Sequence, residues 1–533
     1  MDWAATLPAG EEVGHRLDAL LKSFAALPVQ TALRLIEALL ADDPRHPLLG
    51  FLTQLATTCH PDQARGWFLR GYYLLLQKQA EAVDALERAW RIDPAAHDIL
   101  PPSLIDAYLR GDRLTEAEHV ARWYVAHLPD QGGPLTKLSQ VLRQQHRVTE
   151  AMAFAQAARD IAPDGPGVYV EYWHGLNNTL RFKDALQYAQ HLYAQAPDRR
   201  NVNVMLGESE ARMGNWPPAW HLIQWDYRPE FSFGAQLAWH HHSQRHYHFD
   251  KPVPDIPQWT GQALQGKTLC VWLDHGYGDC ILVARLLPRI ARHVNANGGK
   301  LLVLAYQPLA EMLRPLVKHE HGIVCDSLSE PADYHLPITT AAGVFQLSNN
   351  TLPGTAYLHA SEAALTRWRN RIGRKPDQRN VAIVWSGGPS HSRDTLRSMP
   401  FNDITPLLAL PGITFHSANP ASARDVAHLQ AQGYAVRDWS AELSGSFEET
   451  AGLFCAVNMV VSIDSAPAHL AGAVGAPTVL LLDRVGSHLW GTDDTRTPWY
   501  DSIQIVRQHA LGQWAEAVER TATIVRNALS GGR

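Results

Sequence analysis

The chain has 533 residues, 46% of them hydrophobic and 19% charged, and a formal net charge of -6. That length holds three or four domains at about 150 residues each, and the weak negative balance excludes a basic field for gripping nucleic acid or an anionic membrane as the main function. Five cysteines (Cys59, Cys270, Cys280, Cys325 and Cys455) form no C-x-x-C pair and are expected to be reduced core thiols, not a disulfide framework or zinc knuckle.

No basic and apolar leader opens the sequence, and no apolar run approaches 18 residues. A cytoplasmic protein without a transmembrane segment is therefore expected. Residues 1–60 read as a helical cap, or an extra repeat, built of amphipathic segments. From Pro61 the chain is punctuated by Pro94, Pro129, Pro163 and Pro197, and in parallel by Ala82, Ala117, Ala151, Ala185 and Ala219. Both series recur about every 34 residues, the period at which a helix pair stacks on its neighbour. Residues 61–228 thus resemble tetratricopeptide repeats, an all-α solenoid whose concave face suits a protein partner. Tyr108, Tyr172 and Trp173 either line that face or pack inside it, and for an aromatic on a repeat's first helix packing is the more frequent outcome.

Residues 229–266 lose the period and gain Pro252, Pro254 and Pro257, as a linker does. This stretch carries His240, His241, His242, His246 and His248. Without an acidic or cysteine partner at ligand spacing, a solvated loop is favoured over a metal site, and no metal is expected.

From residue 267 the pattern changes to short apolar strands alternating with helices, twice over, in lobes 267–375 and 376–533. Strands are expected at 269–273, 301–305, 381–385, 413–416 and 459–463, with helices at 281–293, near 402–408, up to 432, at 447–457 and at 513–529. Each lobe opens with a glycine-rich turn. In the first, His275, Gly276, Tyr277 and Gly278 precede Asp279 at a helix mouth. Glycine there permits close approach of a ligand, and Asp279 either activates a hydroxyl as general base or caps its helix. In the second, the amides around Ser386, Gly387 and Gly388, with Arg393, Arg397 and Ser398, suit a phosphate without a metal. One of the two arginines is expected to pair on the surface with Asp394 or Asp403, Arg393 before Arg397. Further on, Val460 to Thr478 reads as strand, turn, small-residue helix and strand. Asp464 and Ser465 stand at that helix mouth with His469 one turn on, an arrangement that presents a helix N-terminus to an anionic, nucleotide-bearing ligand.

Gly276-Tyr-Gly-Asp279, Trp385-Ser-Gly-Gly388, Arg397-Ser-Met-Pro400, Asp464-Ser-Ala-Pro-Ala-His-Leu-Ala471, Gly475-Ala-Pro-Thr478 and Pro498-Trp-Tyr500 together resemble heptosyltransferase-like glycosyltransferases, and more closely the bacterial proteins that carry such a domain behind tetratricopeptide repeats, flagellin-modifying enzymes among them. The resemblance implies a GT-B fold of two Rossmann-like lobes and a nucleotide-sugar donor held by the C-terminal lobe through Asp464, Ser465 and His469. It further implies inverting, metal-independent transfer with Asp279 as base, and no cofactor. Ala466 departs from the glycine of many relatives. Two other functions compete: a repeat scaffold whose α/β lobes are vestigial, and a lipopolysaccharide heptosyltransferase, which needs no solenoid.

Overall fold

The computed structural model describes residues 22, 26–165, 167–223, 256–328, 330–348, 351, 354–373, 378–388, 391, 393–419, 422–443 and 445–530. The histidine cluster His240 to His248 and most of the expected linker lie outside them. The chain divides into two compact units, Met1–Gly175 and Leu176–Arg533.

The first unit is a run of antiparallel helix pairs, beginning with Val29–Asp42 and Leu49–Cys59 and continuing through Ala64–Leu76, Ala82–Ile92, Leu100–Arg110, Leu114–His127, Gly132–Gln144 and Val148–Ile161. Helix Ala82–Ile92 shows why: Ala82, Ala85, Leu86 and Ala89 fall at helical spacing and are its buried face. The marker alanines Ala82, Ala117 and Ala151 are at most 2% exposed, because two helices cross there and only a small side chain fits. Tyr108, Tyr172 and Trp173 are buried as well. They pack the solenoid and do not line its surface.

The first helices of successive pairs end alike. Lys78, Asp112, His146 and Leu180 all have positive φ, and the next residue in each case, Gln79, Arg113, Arg147 or Arg181, donates its N–H to the carbonyl five residues back at 2.8–3.0 Å. This is the Schellman closure that satisfies a helix's last carbonyls. In this series of described helix ends Gly214 supplies the left-handed residue after helix Arg200–Arg212, and a search for glycine punctuation overlooks the other four. The expected helical repeat followed by an α/β region is what the chain folds into.

In the second unit, helices Phe182–Gln195, Arg200–Arg212 and Trp216–Ile223 precede the sheets. Trp216 meets the Trp499 ring edge-on at 4.6 Å, and Trp220 donates from Nε1 to the Leu347 carbonyl at 2.9 Å. The final helices of the periodic region therefore share a hydrophobic core with the α/β lobes. The end of the expected linker is also packed down: Trp259 is buried and its N–H donates to the His335 carbonyl.

The first lobe has a four-stranded parallel sheet of β1 (Thr268–Trp272), β2 (Lys300–Leu304), β3 (Ile323–Cys325) and β4 (Tyr334–Pro337), ordered β3-β2-β1-β4. The second has six parallel strands: β5 (Arg379–Val384), β6 (Ile413–Ser417), β7 (Val436–Asp438), β8 (Met459–Ile463), β9 (Thr478–Leu482) and β10 (Ile503–Arg507), ordered β10-β9-β8-β5-β6-β7. β6, β8 and β9 are buried at every residue, as strands covered on both faces are. Strand order reverses between β1 and β4 in one sheet and between β5 and β8 in the other, and ligands of open α/β sheets bind beyond the strand ends at such points.

Three expectations need correction. The helix expected at 281–293 is two, Tyr277–Ala284 and Leu287–Ala296, with Pro288 starting the second. The segment near 402–408 opens as a 3-10 turn, Phe401–Ile404. The cysteines are unpaired, but Cys59 and Cys455 are exposed, so only Cys270 and Cys280 are fully buried core thiols.

Candidate functional site

The glycine-rich turn after β1 is fixed by buried chemistry. Asp274 accepts from the Thr339 N–H at 3.1 Å, from the Thr339 hydroxyl, and pairs with His275 Nδ1 at 2.8 Å. Thr339 follows β4, so this bond closes the first switch point. Beyond it, helix Tyr277–Ala284 presents Asp279 in its first turn, and among the described residues nothing hydrogen-bonds the Asp279 carboxylate.

This turn reaches the second lobe directly. A Cβ on Gly278 would lie 2.8 Å from His469 Cδ2 and 3.5 Å from Ala466 Cα. Only glycine lets the Asp279 turn approach the Asp464–His469 segment so closely. The small residues following Asp464 form helix Ala466–Ala473, whose N-cap Ser465 is extended and makes no side-chain capping bond. The start of this helix lines a cavity of about 1030 Å³; Pro467 has no N–H and the Ala468 N–H goes to the Ser465 carbonyl at 2.9 Å, so the Ala466 amide and the positive end of the helix dipole are what the helix offers.

Gly276, Tyr277, Gly278, Asp279, Ser386, Gly387, Gly388, Arg393, Arg397, Asp464, Ser465 and His469 all line that cavity. His275 and Ser398 do not. His275 is tied to Asp274, and Ser398 Oγ accepts the Gly387 N–H at 2.9 Å, which removes that amide from the set available to a phosphate. The arginine pairing is also reversed. Arg397 takes the Asp394 carboxylate at 3.1 Å and donates to the Asp464 carbonyl at 3.0 Å, whereas Arg393 holds buried Asp483 by both oxygens at 2.9 Å. Asp394 sits one turn ahead of Arg397 and so meets it, while Asp483 at the end of β9 is remote in sequence. Arg397 is thus a preoriented charge beside the helix mouth, the condition under which a cation stabilises a developing anion without reorganising.

Burial sets the protonation states. It pushes the Asp464 carboxyl up, against the pull of the Trp490 Nε1–H at 2.7 Å. His469, packed on Trp490 and bonded at Nδ1 to the Tyr500 hydroxyl at 3.1 Å, is pushed down to about 4 by burial. His488 is pushed down to about 3 by burial and by Arg212 and Arg393. Free histidine titrates near 6.5, so these neutral rings support the fold above that pH and withdraw stability as pH falls from there towards 4. The loss is of the order of a few kcal/mol, and the raised Asp464 works against it. Urea unfolding followed by tryptophan fluorescence should show a lower midpoint near pH 5 than near pH 7. An unchanged midpoint contradicts neutral buried rings.

Sequence reasoning missed Glu208, Arg212, His391, Asn419, Phe447, Ser487 and His488, which also line the cavity. His391 stands within the loop already singled out. Glu208 and Arg212 belong to the periodic helices and carried no separate signal.

Among the described residues no group of His, Cys, Asp and Glu has the arrangement of a metal site, and no helix is long and apolar enough to cross a membrane.

No family model matches the chain. Among curated proteins it is similar to Protein FlbA of Caulobacter vibrioides, 23% identical over 456 residues that cover 75% of this chain and 73% of the relative. Among solved structures, similar ones include YrrB, described as a TPR protein with an unusual peptide-binding site (16% identity, 34% of this chain and 95% of that one, TM-score 0.26), and PilF of Pseudomonas aeruginosa (14%, 39% and 95%, TM-score 0.31).

Proposed function

We propose that the chain is a glycosyltransferase of GT-B type that moves a sugar from a nucleotide-sugar donor to a hydroxyl of a protein acceptor held by the repeats, acting in the cytoplasm on flagellin or another surface protein before export. The observation that carries this reading is the meeting of two switch-point turns on one cavity, an unbonded carboxylate from the first lobe facing a helix mouth and Arg397 from the second. Division of labour follows from charge. A carboxylate at Asp279 repels phosphate but suits an acceptor O–H, whereas the helix mouth and Arg397 suit the leaving phosphate.

In the proposed step Asp279 takes the acceptor hydroxyl's proton as its oxygen bonds to the anomeric carbon. The bond from that carbon to the donor phosphate breaks, and its electron pair leaves on the phosphate oxygen. Attack from the first lobe on a donor held by the second inverts the anomeric centre. Positive charge from Arg397 and from the N-terminal end of helix Ala466–Ala473 fills the role a metal would otherwise take. Neutral His469 contributes an N–H or a lone pair, not a full charge.

The test has two parts. Calorimetry with a panel of nucleoside diphosphates and nucleotide sugars is expected to find at least one ligand, and intact-mass measurement of surface proteins from cells with and without this protein is expected to find a sugar-sized increment. No nucleotide binding together with no mass difference supports the repeat scaffold with a vestigial α/β part.

A further inference from the structure

Helix Arg200–Arg212 lies in the periodic region, yet it supplies Glu208 and Arg212 to the cavity wall. The two residues are four apart, so they share a helix face. An adjoining side of the helix is pressed onto its neighbour: a Cβ on Gly207 would stand 2.8 Å from the Ile223 backbone nitrogen. Arg212 then fastens the helix to the loop after β9, donating to the Val485 carbonyl at 2.8 Å and the Gly486 carbonyl at 3.1 Å, with the Phe182 ring 4.9 Å from its guanidinium carbon.

Glu208 is left differently placed. Its nearest ion-pair candidate is His488 Nδ1 at 3.9 Å, beyond hydrogen-bond distance, and burial holds that ring neutral. Arg393 is occupied by Asp483, and Arg212 by the two carbonyls. Among the described residues no group donates a hydrogen bond to the Glu208 carboxylate, whose side chain is 33% exposed. Protein surrounds it, and what it faces is the cavity.

Burial pushes the Glu208 carboxyl up while Arg212 and Arg393 pull it down, and in its ionised form it accepts hydrogen bonds and donates none. It repels phosphate and favours hydroxyl donors, vicinal ones above all. Both ribose and a transferred sugar carry such hydroxyls. The cavity lining includes both an aromatic residue, Phe447, whose ring centroid lies 5.1 Å from that of Tyr277, and polar ones, Glu208 with His488 3.9 Å from it.

We infer that Glu208 is a specificity-determining residue that accepts hydrogen bonds from the hydroxyls of the transferred glycosyl unit. This rests on the glycosyltransferase reading. It makes the first helix of the last repeat pair part of the donor site.

Glu208→Gln keeps the size of the side chain and removes the charge. Calorimetry of wild type and variant would use UDP, GDP, ADP and CMP against UDP-N-acetylglucosamine, GDP-mannose, ADP-heptose and CMP-sialic acid, with melting temperature as the check on folding. The expected result is nucleotide affinity within about twofold of wild type and about tenfold weaker binding of the sugar conjugate, as the loss of a charged hydrogen bond predicts. Equal weakening of nucleotide and conjugate overturns the glycosyl assignment and gives Glu208 to the ribose. Unchanged binding of both overturns a role for Glu208 while leaving the transferase reading standing. A wild type that binds no conjugate removes both. Should Glu208→Gln melt early, Glu208→Asp, which keeps the charge and withdraws it by one methylene, must show the same selective loss for the inference to hold.

Discussion

Asp279→Asn is expected to lower the rate of sugar transfer by about 10²–10⁴-fold, the usual contribution of a positioned general base, with nucleotide affinity nearly unchanged. The expectation follows from isolation of the carboxylate: it faces the cavity without a hydrogen-bond partner among the described residues, and its helix is anchored through Asp274 and Thr339, not through Asp279 itself. Asparagine fits the same space and cannot take a proton. Single-turnover transfer to the acceptor, run beside calorimetry with the free nucleotide, separates chemistry from binding. Full activity in Asp279→Asn removes the base assignment, and with Gly276 at the N-cap and no side-chain capping bond Asp279 has no capping role to fall back on.

The largest expected loss of stability comes from Asp483→Ala. Asp483 is fully buried, holds Arg393 by both oxygens, and accepts the N–H groups of Val485 and Gly486 at 3.1 and 2.9 Å. Burial alone would raise its carboxyl, but Arg393 and the two amides outweigh that and hold it below the usual range. Deleting it strands a guanidinium and frees the loop that carries Ser487 and His488. Breaking such a buried pair costs about 3–5 kcal/mol, read as a drop in the urea midpoint. Replacing both partners with apolar residues should recover most of the loss, because no charge then remains uncompensated. A loss under about 1 kcal/mol for Asp483→Ala contradicts the proposed anchoring role.

What could be read from the sequence was whatever repeats or sits at a strand end. The alanine and proline periods located the helix pairs, since Ala82 or Ala117 marks a crossing that tolerates nothing larger. β8, helix Ala466–Ala473 and β9 follow closely from their apolar and small-residue runs. Short edge strands were not legible: β3 and β7 have three residues each, too few for alternation to emerge. The pairing of Arg393 also escaped, because Asp483 lies 90 residues away in sequence and becomes its neighbour only when β9 is laid beside β8. Of the cavity, the three glycine or small-residue turns were visible, and the wall built from Glu208 and Arg212 was hidden by the regularity of the helix bearing it. A periodic pattern explains every residue equally well and so obscures the one with a second task.

Arg212's grip on Val485 and Gly486 also bears on how such a chain can be rebuilt. Grafting a foreign repeat array in front of the α/β lobes, to redirect them to a new client protein, cannot use the apparent seam near residue 228. A junction there discards one side of the cavity and bares Trp499. Exchange of repeats has to splice upstream of Leu176 and carry the native helices along, so the repeat array is replaceable only as far as the shared core allows.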